Sequence, residues 1–185
     1  MPASERLIYR LMTVDDLELV SAHWNRPEVR LFLWGDEPVD TGQAAASLAR
    51  AGRSHVEFGG GLWVLSVDGR FVGTCGLLPV FPELDSLLSE ALNPALTGLV
   101  GDAPMAEVIY SLEPPEWGRG YALEATKAVL AHGHGACGLS VIFGGTDVPN
   151  ERSAKTLRTS GMVEVAQLES GGGPIVYFAS VSPRA

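Results

Sequence analysis

The sequence predicts an α/β protein of the α+β kind, with one mixed, mostly antiparallel sheet of about seven strands flanked by about four helices. Three observations predict it. Short alternating or β-branched apolar runs recur along the chain, with helical periodicity between them. Asp68-Gly69 separates two such runs by two residues, which signals a β-hairpin. The element order β-α-α-β-β-β-α-β-α-β-β holds no internal repeat and no linker, so residues 1–185 read as a single domain with a sizeable core.

Glu5 to Met12 alternates as a first strand. Thr13 and Asp16 then read as a capping box, and Leu17, Val20 and Trp24 follow on one helical face until Asn25-Arg26-Pro27. Val29 to Trp34 is apolar and aromatic, closed by the polar Gly35-Asp36-Glu37-Pro38. Asp40 or Thr41 caps a second, Ala-rich helix running to about Ala51. Leu62 to Val67 and Phe71 to Leu78 form the hairpin.

From Pro79 to about 105 the periodicity dissolves into an apolar insertion, in which Leu84, Leu87, Leu88 and Leu92 suit one short amphipathic helix. It is long for a plain loop and too apolar for disorder. A lid, a substrate wall or a homodimer contact are the uses it suits.

Glu107 to Leu112 is the next strand, and Pro114-Pro115 breaks it. Trp117-Gly118-Arg119-Gly120 leads into a helix that reaches about His132, with Ala122, Ala125 and Val129 on one face. Leu139 to Phe143 is a short buried strand, and Pro149 to Ser153 starts a last helix that closes at Ser160-Gly161. Met162 to Leu168 and Ile175 to Ser180 make a terminal hairpin.

The net charge of −9 argues against a general nucleic-acid binder, which needs a basic face. No run of about 18 apolar residues exists, so neither a transmembrane helix nor a membrane partner is expected. MPASERLIYR lacks an apolar signal core, and Cys75 and Cys137 sit apart in apolar surroundings. Reduced thiols in a cytoplasmic protein follow as the expectation. Charge is unevenly placed: Phe71 to Gly118 contains no Lys or Arg, whereas Arg119, Lys127, Arg152, Lys155 and Arg158 come later. That asymmetry suits an anionic ligand on the later part.

Strand, glycine turn and helix start together present backbone N–H groups to an anion such as a pyrophosphate. Trp117 to Ala122 lacks the third glycine and the acidic partner of a dinucleotide fold, and it does not match a P-loop. A bare structural turn is the alternative. His132 and His134 have no third ligand nearby, so a polar helix end is preferred to a metal pair and no metal is expected.

Two motifs in order resolve the ambiguity. Glu107-Val108-Ile109-Tyr110 with Pro114, Trp117 to Ala122 and Glu124-Ala125 is followed by Asn150-Glu151-Arg152-Ser153 with Leu157 and Gly161-Met162. From Leu7 to Phe178, apart from the insertion, the chain resembles the GCN5-related N-acetyltransferase (GNAT) superfamily, and within it the RimJ/RimL-type ribosomal-protein N-terminal acetyltransferase branch. The resemblance implies the GNAT fold and acetyl-CoA as cosubstrate. It implies that Trp117, Gly118, Arg119, Gly120, Tyr121 and Ala122 cradle the pyrophosphate. Tyr110, Ser111 and Leu112 would lie along the pantetheine, with an amide near Ser111 holding the thioester oxygen. Asn150 and Ser153 would bind the pantetheine; a plain N-cap and a polar N3 residue are the alternative.

Glu107 matches the superfamily's strand-borne general base, which would deprotonate the amine directly or through water; a polar strand start is the other reading. Glu113 and Glu116 fall in the turn and are disfavoured. Many members place an acidic Tyr seven residues after the helix-start Asn, where this chain has Leu157. Ser153, Tyr110 or water are the substitutes, and a thiol pKa of roughly 8.5 makes an acid dispensable. Trp24, Phe32, Leu33, Trp34 and Trp63 read first as core; Phe32 and Trp34, from the region lining the acceptor site in this family, and Tyr177 are the substrate-wall candidates. The expected activity is acetyl transfer to a primary amine, either a protein N-terminus or a small molecule. A non-catalytic CoA-binding sensor or interaction module is the alternative, supported by the missing Tyr at Leu157.

Overall fold

The computed structural model describes residues 1–80, 88, 90–92, 94–100, 105–170 and 172–183. In chain order the elements are β1 (Ile8–Leu11), α1 (Leu17–Trp24), α2 (Pro27–Leu33), α3 (Thr41–Phe58), β2 (Gly61–Val67), β3 (Arg70–Pro79) and α4 (Pro94–Val100). They continue with β4 (Ala106–Leu112), α5 (Tyr121–Gly135), β5 (Val141–Asp147), α6 (Glu151–Thr159), β6 (Val163–Ser170) and β7 (Gly173–Val181). The seven strands form one sheet in the order β1-β2-β3-β4-β5-β7-β6. All neighbours pair antiparallel except β4 and β5, which run parallel.

Alternation sorts the strand residues onto two faces. Trp63 and Leu65 of β2 join Val108 and Leu112 of β4 in a core with Ala125 and Val129 of α5. Leu62 and Val64 point the other way, against Val20 and Trp24 of α1 and Ala44 and Leu48 of α3, with Ile109 of β4 packed on them. The β2–β3 turn places Asp68 and Gly69 at φ 50° and 75°, both left-handed, as a two-residue hairpin turn requires.

Three expectations shift. The run Val29 to Trp34 contains a helix of its own, α2, because Arg26 is extended and Pro27 takes the first helical position, where a missing N–H costs nothing. The α3 helix continues past Ala51 to Phe58 and ends at Gly59, whose φ of 81° supplies the left-handed stop. The fifth strand starts at Val141 and runs to Asp147, while the Leu139 N–H bonds the Gly133 carbonyl at 3.0 Å.

Leu84 and Leu87 lie outside the described residues. Leu88 and Leu92 are buried with Met105, Phe143 and Tyr177 in a third apolar cluster. None of the described residues between 81 and 105 lines the cavity considered below, so the described part of the insertion packs on β5 and β7 rather than walling that cavity.

Candidate active site

β4 and β5 are joined in register at Ala106–Ile142 and Glu107–Phe143. Beyond that rung β4 stays paired with β3 as far as Leu112, and β5 with β7 as far as Asp147. The two strands therefore diverge toward their C-terminal ends, and a cavity of about 1060 Å³ occupies the wedge. Its walls come from α2, β4, the turn before α5, the end of β5 and the start of α6.

The turn sits at the open end. Gly118 and Gly120 have φ of 77° and 81°, a conformation that a side chain disfavours. Gly120 is the N-cap of α5 and offers no side-chain acceptor, so the first N–H groups of the helix are left for a ligand. Trp117 Nε1 donates to the Leu112 carbonyl at 2.9 Å and folds the turn back on β4. The Arg152 guanidinium stands 5.2 Å from the Trp117 ring centroid. Arg6 fastens the turn from outside: its Nη1 donates to the Arg119 carbonyl at 3.0 Å, and it pairs with Glu124 at 2.6 Å. Trp117, Gly118, Gly120, Tyr121 and Ala122 line the cavity. Arg119 contributes backbone to the turn, but its side chain is half-exposed, 3.6 Å from Glu116, and does not line the wedge.

Tyr110, Ser111, Leu112, Asn150 and Ser153 line the middle. Asn150 Oδ1 accepts from the Ser153 N–H at 3.2 Å, so Asn150 does cap α6. Tyr110 reaches from β4 to α6, its hydroxyl 2.8 Å from Ser153 Oγ and 3.2 Å from the Ser153 carbonyl. Burial pushes the Tyr110 phenol up to about 12, against the pull of its Ser153 hydrogen bond. Leu157 is buried in the core one turn below.

Glu107 lines the closed end. Burial pushes its carboxyl up to about 7, and the Arg50 charge acts against that rise. Glu113 is held by His23 and Arg26, outside the cavity lining, whereas Glu116 lines the cavity near the turn with one oxygen paired to Arg70. A carboxylate that titrates near neutrality beside an enclosed wedge is equipped to take a proton from an ammonium.

Of the three wall candidates, Phe32 lines the cavity and is 40% exposed. Trp34 does not; its ring packs on Trp24 at 5.6 Å between centroids. Tyr177 does not either; it is buried against Gly145, at the back of β5. These two are corrected to packing residues: Trp34 packs on the apolar cluster of α1 and α3, and Tyr177 packs with Val141 and Phe143 while the charges of Glu107 and Asp147 act on its phenol. Glu28, Val29 and Leu33 join Phe32 instead. They were missed with α2, whose signal was Pro27 followed by apolar residues at Val29 and Leu33, one turn apart.

His132 Nε2 is 2.9 Å from the Gly59 carbonyl, and His134 bonds the Leu139 carbonyl and Ser180 Oγ at 2.7 and 2.9 Å. Among the described residues no group of His, Cys, Asp and Glu could hold a metal ion, and no helix is long and apolar enough to cross a membrane. Cys75 and Cys137 are free thiols.

Comparison with known proteins agrees with this geometry. The acetyltransferase (GNAT) domain family matches residues 6–163. An uncharacterized N-acetyltransferase, p20, of Bacillus licheniformis is 24% identical over 158 residues, 84% of this chain and 78% of that protein. A GNAT-family acetyltransferase from Bordetella pertussis superposes with a TM-score of 0.76 at 18% identity, covering 97% of this chain and 98% of the other. RimL, the ribosomal L7/L12 α-N-protein acetyltransferase solved with coenzyme A, gives 0.74 at 12% identity, covering 100% and 98%. An aminoglycoside acetyltransferase, AAC(6')-Ib, solved with coenzyme A, gives 0.71 at 14%, covering 95% and 94%. The structural likenesses speak for the fold, and the domain match over most of the chain establishes that this protein belongs to the GNAT family of acetyltransferases and is an enzyme of that type.

Proposed function

We propose that this enzyme transfers an acetyl group from acetyl-CoA to a primary amine by direct attack within a ternary complex. The observation that carries the proposal is the position of Glu107 at the closed end of a wedge whose open end is a glycine turn and a helix N-terminus. Acetyl-CoA supplies the activated thioester. The N–H groups from Arg119 to Ala122 bind its pyrophosphate, and the edge of β4 from Tyr110 to Leu112 aligns its pantetheine. Asn150 and Ser153 complete that wall. Glu107 takes the proton of the ammonium, and the Tyr110–Ser153 hydroxyl pair stands ready to protonate the thiolate.

The acceptor enters past α2, where Glu28, Val29 and Phe32 form the wall. A protein N-terminal α-amine, as the RimJ/RimL-type branch would use, and a small-molecule amine both suit this wall. The single-domain organisation and the cytoplasmic location belong to the same reading. A CoA-binding sensor is the second reading, favoured by the burial of Leu157, which leaves the family's usual acid position without a hydroxyl.

The test is calorimetric titration with acetyl-CoA, followed by thiol release with phenethylamine, spermidine and a hexapeptide bearing a free N-terminal serine. Micromolar binding with turnover of at least one amine is expected. Binding without turnover would favour the sensor, and no binding of acetyl-CoA would overturn both.

A further inference from the structure

One chain of buried polar side chains runs beside the wedge and takes no part, through those side chains, in the chemistry above. His23 on α1 is 1% exposed and uses both ring nitrogens. Nδ1 is 2.7 Å from Glu113 Oε1, and Nε2 is 2.9 Å from Ser111 Oγ. Ser111 Oγ is also 2.9 Å from Thr74 Oγ1 on β3. Arg26 Nε reaches the two oxygens of Glu113 at 3.0 and 2.8 Å. The edge of Phe71 closes the imidazole at 5.2 Å between centroids.

A carboxylate at Nδ1 leaves the proton there, so Nε2 accepts from the Ser111 hydroxyl. Burial lowers the pKa of His23, outweighing the Glu113 hydrogen bond that raises it, so the ring stays neutral. Carboxylate, imidazole and hydroxyl in this order can activate a nucleophile. Here the hydroxyl is held between His23 and Thr74, both buried, and it turns toward α1. A fully satisfied buried network fixes one arrangement of the elements it joins.

Those elements are specific. Arg26 is the N-cap residue of α2, whose Glu28, Val29 and Phe32 face the cavity. Ser111 is on β4, four residues after Glu107 on the same face. We propose that His23 is a positioning residue for the amine acceptor, fixing the α2 wall against the strand that carries Glu107 through its bonds to Ser111 and Glu113. The acceptor part of this inference rests on the function proposed above; the coupling of α2 to β4 does not.

His23→Gln keeps one polar contact but cannot span both partners. Expected is a rise of about tenfold in KM for the best acceptor of the amine panel, with kcat and acetyl-CoA affinity within about twofold. Hydrogen exchange at the α2 amides should quicken about tenfold, while α5 and α6 keep their protection. His134→Gln serves as control: it breaks an equally two-ended histidine between α5 and β7, and should lower stability without moving acceptor KM. Unchanged α2 exchange, an unchanged acceptor KM, or an acetyl adduct on Ser111 in quenched wild-type enzyme would each overturn the proposal. Should wild type acetylate no amine, the function reading fails while the exchange measurement still decides the coupling.

Discussion

Glu107 stands opposite Phe143 on the last rung that joins β4 to β5, so the carboxylate sits where the sheet ceases to be continuous. Backbone pairing closes the wedge behind it, and burial pushes its pKa up to about 7. In its proposed role as base it would act only when ionised. The log of kcat/KM should therefore rise with pH and level off above about pH 7. Glu107→Gln should cost about 10²- to 10⁴-fold at pH 7.5 and erase that limb. An unchanged pH–rate profile would remove Glu107 as the base.

The same shift predicts a pH dependence of stability. The folded pKa lies above the ordinary 4.5, so the folded chain binds this proton more tightly than the unfolded one. The stability it contributes is fully present below about pH 4.5 and is lost as pH rises through about 7. Glu107→Gln removes the loss. Its melting temperature relative to wild type should be higher at pH 8 than at pH 5, by an amount worth on the order of 1–3 kcal/mol. A difference constant across that range would contradict the burial of this carboxyl.

Much of this site was legible in the residues. The glycine turn and the Asn150 cap are local devices, written in contiguous sequence and independent of distant packing. The strands and the β2–β3 hairpin were legible for the same reason. What escaped depended on partners far along the chain. Nothing near His23 announces Glu113, 90 residues away, and Trp34 and Tyr177 look alike whether they line a cavity or fill a core. The Pro27 start of α2 was readable, but an apolar aromatic run hid its period.

Gly120 is the position where the turn has least freedom. Its φ of 81° is costly for any residue with a Cβ, and an added Cβ would stand 3.4 Å from Arg6 Nη2. Gly120→Val should lose about 1–2 kcal/mol of stability through backbone strain. Because the displaced N–H groups are those proposed to bind the pyrophosphate, acetyl-CoA affinity should fall at least about tenfold by calorimetry. Retained affinity would contradict the pyrophosphate assignment.

Tyr110 and Ser153 share a hydroxyl–hydroxyl contact of 2.8 Å across the wedge. If they act as one unit on the departing thiolate, Tyr110→Phe and Ser153→Ala should each lower kcat, and the double variant should lose less than the product of the two. With the Tyr110 phenol pushed up to about 12, neither variant should alter the neutral pH–rate profile. Strictly multiplicative losses in a double-mutant cycle would mean that the two hydroxyls work separately.

Leu157 occupies the position where the family resemblance implies an acidic tyrosine, yet it cannot be exchanged for one at no cost. It is 1% exposed, and a Cβ built at Gly144 would already stand 3.0 Å from its Cδ2. A phenol there must displace that neighbour. Leu157→Tyr should destabilise the fold by about 1–3 kcal/mol, lowering the melting temperature by about 2–4 °C for each kcal/mol. It should leave kcat no higher, since the ring would be spent on packing. A gain in kcat with an undiminished melting temperature would show instead that this corner of α6 opens onto the wedge, and that a relocated acid, rather than the Tyr110–Ser153 pair, can serve the thiolate.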